Sequence, residues 1–110
     1  MTVTTDIENK KMTAAIDGRL DTSTSPELES KLKDIPAGIT ELNLDLKDTE
    51  YVSSAGLRII LSLHKRMTKS SGTLYISNVN ESVKEIFDIT GFSDILDIRY
   101  DQIFPDNFNQ

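Results

Sequence analysis

The sequence contains no cysteine and only one histidine, His64, among its 110 residues. The absence of cysteine excludes disulfide bonds, thiolate catalysis and zinc sites built on cysteine ligands. A single histidine is too few for a multi-histidine metal site. We therefore expect the protein to bind no metal. We also expect no cofactor.

The sequence also lacks the segments that direct a chain into or across a membrane. The opening residues, Met1 to Asp6, have neither a charged n-region nor an apolar h-region, and no apolar run approaches the ~20 residues of a membrane span. The formal net charge of -6 argues against nucleic acid or an anionic membrane as the main partner. We expect a cytoplasmic monomer with one domain over residues 1–110 and its core at about 3–100.

The most informative stretch runs from residue 41 to residue 63. Leu42, Leu44 and Leu46 alternate with polar residues, which is typical of a half-buried strand. From Ser54 onward the apolar positions follow a helical spacing instead. The segment 51–56 is therefore a strand-to-helix junction, and it carries two adjacent serines.

The remaining elements can be predicted from turn and capping residues. Before residue 41 they are a strand at 3–8, a turn at 9–11, a strand at 12–17, and a helix that has Ser25 as N-cap and ends by 36–38. From residue 54 onward they are a helix at 54–69 stopped by Gly72 as a left-handed cap, a strand at 73–77, a helix from 80–82 to Gly91, and a strand at about 97–100. The tail, 101–110, fits a loop or a short helix equally well. The order β-β-α-β-α-β-α-β predicts an α/β fold with a mixed, mostly parallel sheet of about five strands packed by helices.

The helix predicted at 54–69 has an unusually wide apolar arc. At 100° per residue the arc covers roughly 200°, whereas about 100° is enough for a helix that packs on a sheet. The surplus lies around Leu57, Leu61 and His64. Either a neighbouring helix or a partner protein covers it.

The junction serines do not fit nucleophilic catalysis. A hydrolase elbow requires Gly-x-Ser-x-Gly, but Val52 lies two positions before Ser54 and only Gly56 matches. His64 lies ten residues further along the same helix, about 15 Å away, so it cannot be the general base. The phosphate-binding loops of nucleotide enzymes are also absent. We therefore expect a protein that is not an enzyme.

Two roles remain open for Ser54. It could cap the helix, or it could be a phosphorylated or anion-binding serine, because a helix N-terminus stabilises negative charge. Residues 51–80 contain no Asp or Glu but do contain Arg58, Lys65, Arg66 and Lys69. This local cationic zone favours an anion, although basic residues late in a helix also complement its C-terminal dipole.

The sequence resembles a known family, the STAS domain of bacterial anti-sigma factor antagonists. The segment 45–61, which includes Tyr-Val-Ser-Ser-Ala-Gly-Leu, is similar to the signature of that family. The segment 18–21 followed by Pro26-Glu-Leu28, the segment 72–76 and the pattern from Val83 to Phe92 resemble its other blocks. The resemblance spans about residues 3 to 100 in order.

The resemblance implies a role for each junction residue. The family commonly has Asp-Ser-Ser-Gly here, with the first serine phosphorylated. Ser54 takes that place, Ser53 replaces the aspartate and is an alternative acceptor, and Asp21 matches a family acidic residue near the same site. The residues implied in partner binding are Asp21, Thr22, Ser53, Ser54, Ala55, Gly56, Leu57, Arg58 and Leu61.

The resemblance also implies a partner-switching mechanism. The unphosphorylated protein would bind an anti-sigma factor that is also a serine kinase of the GHKL type, and would thereby release a sigma factor. Phosphorylation would dissociate the complex, and a PP2C-type phosphatase would reset it. The alternative is a STAS-type interaction subunit of a transporter or stressosome-like assembly without sigma-factor control. A nucleotide-binding protein is a third possibility, which the missing phosphate-binding loop disfavours.

Overall fold

The computed structural model describes residues 1–99, so Tyr100 and the tail 101–110 lie outside the described residues. In chain order the elements are β1 (Thr2–Glu8), β2 (Lys11–Leu20), α1 (Ser25–Lys31), β3 (Glu41–Asp45), β4 (Thr49–Val52), α2 (Ser54–Lys69), β5 (Thr73–Ser77), α3 (Glu81–Thr90), a 3-10 turn (Phe92–Asp94) and β6 (Asp97–Arg99). This is the α/β arrangement that the sequence pattern predicts.

The strands form one mixed sheet in the order β1-β2-β3-β5-β6, with β4 paired to β2. β1 and β2 are an antiparallel hairpin, in which Glu8 lies opposite Lys11 and Asn9 takes a left-handed conformation (φ 58°) in the turn. All the other pairs are parallel. The prediction of a mixed, mostly parallel sheet is therefore confirmed.

The helices and the sheet share one hydrophobic core, and the alternation of the strands determines which residues enter it. Alternate residues of β2 from Met12 to Ile16, and of β3, are buried, as are Leu74 and Ile76 of β5. The principal core residues are Met12, Ala14, Ile16, Leu42, Leu44, Leu46, Leu74 and Ile76 from the strands and the following segments, with Leu28, Leu32, Ile60, Leu63, Val83 and Phe87 from the helical layer.

β4 is a strand that the sequence pattern did not indicate. Its four residues, Thr49–Val52, do not alternate between apolar and polar, and they pair with Gly18–Leu20 of β2 across a bulge at Gly18 and Arg19. Thr49 is fully buried and donates a hydrogen bond of 2.7 Å to the carbonyl of Ile16. This extra strand brings the junction serines to the end of β2.

The predicted start and end of α1 were wrong. Thr24 occupies the N-cap position, whereas Ser25 is the first helical residue and is buried, with its hydroxyl donating to the Asp21 carbonyl at 2.6 Å. The helix ends at Lys31, and Leu32 is its C-cap. The guanidinium of Arg66 in α2 donates to the carbonyls of Leu32 and Lys33, both at 2.9 Å, and so replaces their helical partners.

The stop after α2 also differs from the prediction. Ser71, and not Gly72, takes the left-handed conformation (φ 64°). Gly72 is required for a different reason, since a Cβ there would lie 2.9 Å from the carbonyl oxygen of Thr40. In α3, by contrast, the helix ends at Gly91 as predicted, where Gly91 takes a left-handed conformation (φ 82°), and Asn80 is the N-cap.

Candidate functional site

The junction between β4 and α2 gives its two serines different tasks. Ser53 is the N-cap of α2: its backbone is extended, its hydroxyl accepts from the Gly56 amide at 3.3 Å, and its carbonyl accepts from the Leu57 amide at 2.9 Å. Ser54 is the first residue of the helix and is exposed. Its side chain makes no hydrogen bond within residues 1–99. The cap is therefore Ser53, and the expectation that Ser54 caps the helix was wrong.

The first turn of α2 packs directly on the end of β2. The Ser53 amide donates to the Leu20 carbonyl at 2.9 Å. A Cβ on Gly56 would lie 2.8 Å from that carbonyl oxygen and 2.8 Å from the Leu20 Cγ, so only glycine fits without a shift. This contact holds the loop from β2 to α1 beside the two serines.

Asp21 organises that loop from within. Its Oδ1 accepts hydrogen bonds from the Ser23 hydroxyl at 2.8 Å and from the amides of Ser23 and Thr24 at 3.0 and 3.2 Å. The hydrogen bond from the Ser23 hydroxyl, aided by those from the two amides, lowers the pKa of Asp21. Asp21 is therefore ionised at neutral pH and is committed to the loop, while Thr22 next to it is exposed.

Arg19 and Tyr51 lie beside this loop and were not predicted as site residues. They are opposite each other in the β2–β4 pair, and the Arg19 guanidinium lies 4.5 Å from the centroid of the Tyr51 ring. The Arg19 Nε also lies 3.8 Å from the carboxylate of Asp21. No local signal could have found this pair, because it depends on β4 being a strand next to β2.

The outer surface of α2 is less apolar than the sequence suggested. Leu57 is 4% exposed and belongs to the core, so the expectation that it offers surface to a partner was wrong. Leu61, His64 and Ala55 are partly exposed, and Arg58 is exposed. The Nδ1 atom of His64 is buried without a hydrogen-bond partner in the described part of the chain.

The described residues form no metal site and no membrane-spanning helix. Among residues 1–99 there is no group of three or more His, Asp or Glu side chains placed to hold a metal ion. In that same range, no helix combines the length and apolar character needed to cross a membrane. What the junction does present is an exposed hydroxyl at the start of a helix whose first turn has no acidic residue.

Comparison with known proteins places this architecture in a family. The family model of the STAS domain matches residues 2–106, almost the whole chain. The chain belongs to the STAS domain family. The resemblance seen in the sequence is thereby confirmed, and the junction from β4 to α2 is part of this STAS domain.

Two relatives of this STAS domain are named anti-sigma-B factor antagonists. The anti-sigma-B factor antagonist of Bacillus subtilis (strain 168) is 36% identical over 83 residues, which are 76% of this chain and 76% of that protein. The anti-sigma-B factor antagonist of Staphylococcus epidermidis is 32% identical over 85 residues, 76% of this chain and 79% of that protein.

A solved structure shares the fold at lower sequence identity. The crystal structure of an anti-sigma factor antagonist from Mycobacterium paratuberculosis superposes with a TM-score of 0.80 at 20% identity, covering 93% of this chain and 86% of the other. At this identity the likeness shows the fold of the STAS domain and not its partner.

Proposed function

We propose that this STAS domain is an anti-sigma factor antagonist switched by phosphorylation of Ser54. The names of its relatives support the first part, because proteins 36% and 32% identical are anti-sigma-B factor antagonists. The unmodified protein binds a cognate anti-sigma factor, a GHKL-type serine kinase, and thereby frees a sigma factor. A PP2C-type phosphatase reverses the modification.

The proposal rests on the different roles of the two serines: Ser53 caps α2, whereas Ser54 is exposed. The Ser53 oxygen is occupied as the acceptor for the Gly56 amide, so a kinase would first have to break this capping hydrogen bond. The Ser54 hydroxyl is exposed and makes no hydrogen bond within residues 1–99. A kinase can therefore modify Ser54 without disturbing the junction, which favours Ser54 over Ser53 as the acceptor.

The same geometry explains how the modification changes binding. A phosphate adds a charge of about -1.5 to -2 near pH 7 together with three strong acceptor oxygens. Placed on the first residue of α2, it lies beside the β2–α1 loop, which already contains the ionised Asp21. A partner that docks there with an acidic or desolvated surface is then repelled.

A matched set of variants tests this function. We expect Ser54→Ala to bind the cognate anti-sigma factor kinase like the wild type, and Ser54→Asp to lose binding, in isothermal titration calorimetry. Ser82→Asp adds the same charge at an exposed serine in α3 and should keep binding. Intact mass spectrometry after incubation with the kinase and ATP should show one added phosphate in the wild type and in Ser53→Ala, but none in Ser54→Ala.

Three results would contradict the proposal. If Ser54→Asp and Ser54→Ala bind the kinase equally well, the charge at this position is not a switch. If phosphate is added to Ser54→Ala but not to Ser53→Ala, then Ser53 is the acceptor. A wild-type protein that binds no anti-sigma factor, and instead co-assembles with transporter or stressosome-like subunits, would favour the alternative role.

A further inference from the structure

The outer face of α2 carries a row of cationic residues that continues well beyond the junction. Arg58, Leu61, Ser62, Lys65 and Lys69 recur at helical spacing and therefore share one face, which we call the α2 stripe. They line a shallow surface groove of about 350 Å³. From Arg58 to Lys69 the stripe is about 16 Å long, at 1.5 Å of rise per residue.

Within residues 1–99, no ion pair neutralises the cations of the α2 stripe. The ion pairs formed within residues 1–99 join Arg19 to Asp21, Lys84 to Asp88 and Arg99 to Asp97, so Arg58, Lys65 and Lys69 take part in none of them. In a chain of net charge -6, the segment 51–80 nevertheless contains no Asp or Glu. All acidic residues of the chain therefore lie before residue 51 or after residue 80.

Structural roles account for some basic residues of α2 but not for Arg58 and Lys65 of the α2 stripe. Arg66 donates to the carbonyls of Leu32 and Lys33 and so joins α2 to α1. The C-terminal dipole accounts for Lys69 in the last turn. Arg58 and Lys65 lie earlier in the helix and have neither explanation, which points to a partner outside the chain.

The stripe is continuous with the proposed switch. Ser54 lies four residues before Arg58, so both side chains are on the same face of the helix. Leu61 is partly exposed between Arg58 and Lys65, so the α2 stripe also presents an apolar side chain to a partner. A phosphate on Ser54 would thus lie at the amino end of the stripe and would pair with Arg58 in place of a partner group.

We propose that the α2 stripe is a docking surface for an acidic surface of the protein partner. The inference rests on the proposed function, and it names the chemistry of the partner: carboxylates arranged over about 16 Å that face Arg58, Lys65 and Lys69. A protein surface can limit its carboxylates to this row. A membrane or a nucleic acid is a broader polyanion, and it would also face the acidic remainder of this chain, which has a net charge of -6.

Charge-reversal variants test the docking surface. We expect Lys65→Glu combined with Lys69→Glu to slow association with the cognate anti-sigma factor kinase at least about tenfold at low salt, and much less at high salt. The matched control combines Lys10→Glu with Lys31→Glu, which changes the net charge equally at exposed positions away from the stripe. Stopped-flow or surface plasmon resonance measures the rates, and circular dichroism verifies that each variant is folded.

Each outcome has a distinct meaning. If both double variants slow association equally, only net charge matters and the docking surface is refuted, although the proposed function stands. If the wild type binds no anti-sigma factor kinase at any salt concentration, the proposed function and this inference fail together. Binding of the wild type to phosphatidylserine vesicles or duplex DNA that is lost in Lys65→Glu/Lys69→Glu, without kinase binding, would overturn the protein partner.

Discussion

An alanine at position 56 would place a methyl group where the structure has no room for one. The new Cβ would lie 2.8 Å from both the carbonyl oxygen and the Cγ of Leu20, whereas ordinary contacts begin at 3.4 Å. Leu20 cannot easily move away, because its side chain is fully buried and its carbonyl accepts from the Ser53 amide at 2.9 Å. The first turn of α2 must therefore shift away from the end of β2.

Two opposing effects determine the magnitude. Alanine in a helix is favoured over glycine by about 0.8–1.0 kcal/mol. Overpacking a tight contact costs about 1–3 kcal/mol, and the upper part of this range applies here because one of the atoms that must yield belongs to the backbone. We expect Gly56→Ala to lower the free energy of unfolding by about 1–2 kcal/mol, which for a domain of this size lowers the Tm by roughly 4–8 °C.

Gly72→Ala is the matched control for this prediction. It creates a similar collision at the opposite end of α2, 2.9 Å from the Thr40 carbonyl oxygen and 2.8 Å from the Met67 Cε. Urea unfolding should show a loss of stability in both variants. Amide chemical shifts at the junction and binding of the anti-sigma factor kinase should change only in Gly56→Ala. An unchanged or raised Tm for Gly56→Ala would refute the argument that this contact positions the junction.

Three further predictions concern the site and its support. Ser53→Ala should lower the free energy of unfolding by about 1 kcal/mol through loss of the cap, whereas Ser54→Ala should change it by less than about 0.5 kcal/mol. Equal losses of stability in urea unfolding would contradict the assignment of Ser53 as the cap. Thr49→Val should cost about 1–3 kcal/mol, since the buried Ile16 carbonyl loses its donor, and a wild-type unfolding midpoint would argue against this bond. The lowered pKa of Asp21 means that its contribution to stability is present at neutral pH and is lost as the pH falls below its ordinary value of 3.8. The stability difference between wild type and Asp21→Asn should therefore shrink in acid, and a difference that stays constant with pH would refute the linkage.

Much of the fold follows from local patterns in the sequence. The alternation of Leu42, Leu44 and Leu46, and the change to helical spacing after Ser54, predict β3 and α2 because each period matches one backbone geometry. Asn80 and Gly91 likewise bound α3 through their own side-chain and backbone preferences. These features depend on residues close together in the chain, so they can be inferred without knowing the tertiary structure.

The candidate site was only partly predictable for the opposite reason. The sequence and the family resemblance pointed to Ser53, Ser54 and Asp21, but they could not tell which serine is the cap. That distinction depends on a hydrogen bond to Gly56, whose amide is positioned by the packing of α2 against Leu20. A helix that began one residue later would instead have Ser54 as its cap.

Burial and long-range pairing likewise depend on the assembled fold. An apolar arc along α2 cannot show that Leu57 is 4% exposed, because its cover comes from elements distant in the sequence. The short strand β4 forms through pairing with β2, about thirty residues earlier in the chain, and that pairing alone brings Tyr51 under Arg19. Local periodicity thus specifies the strand, the helix and the serine junction. Contacts between distant segments specify which side chains of the junction are buried and which are exposed.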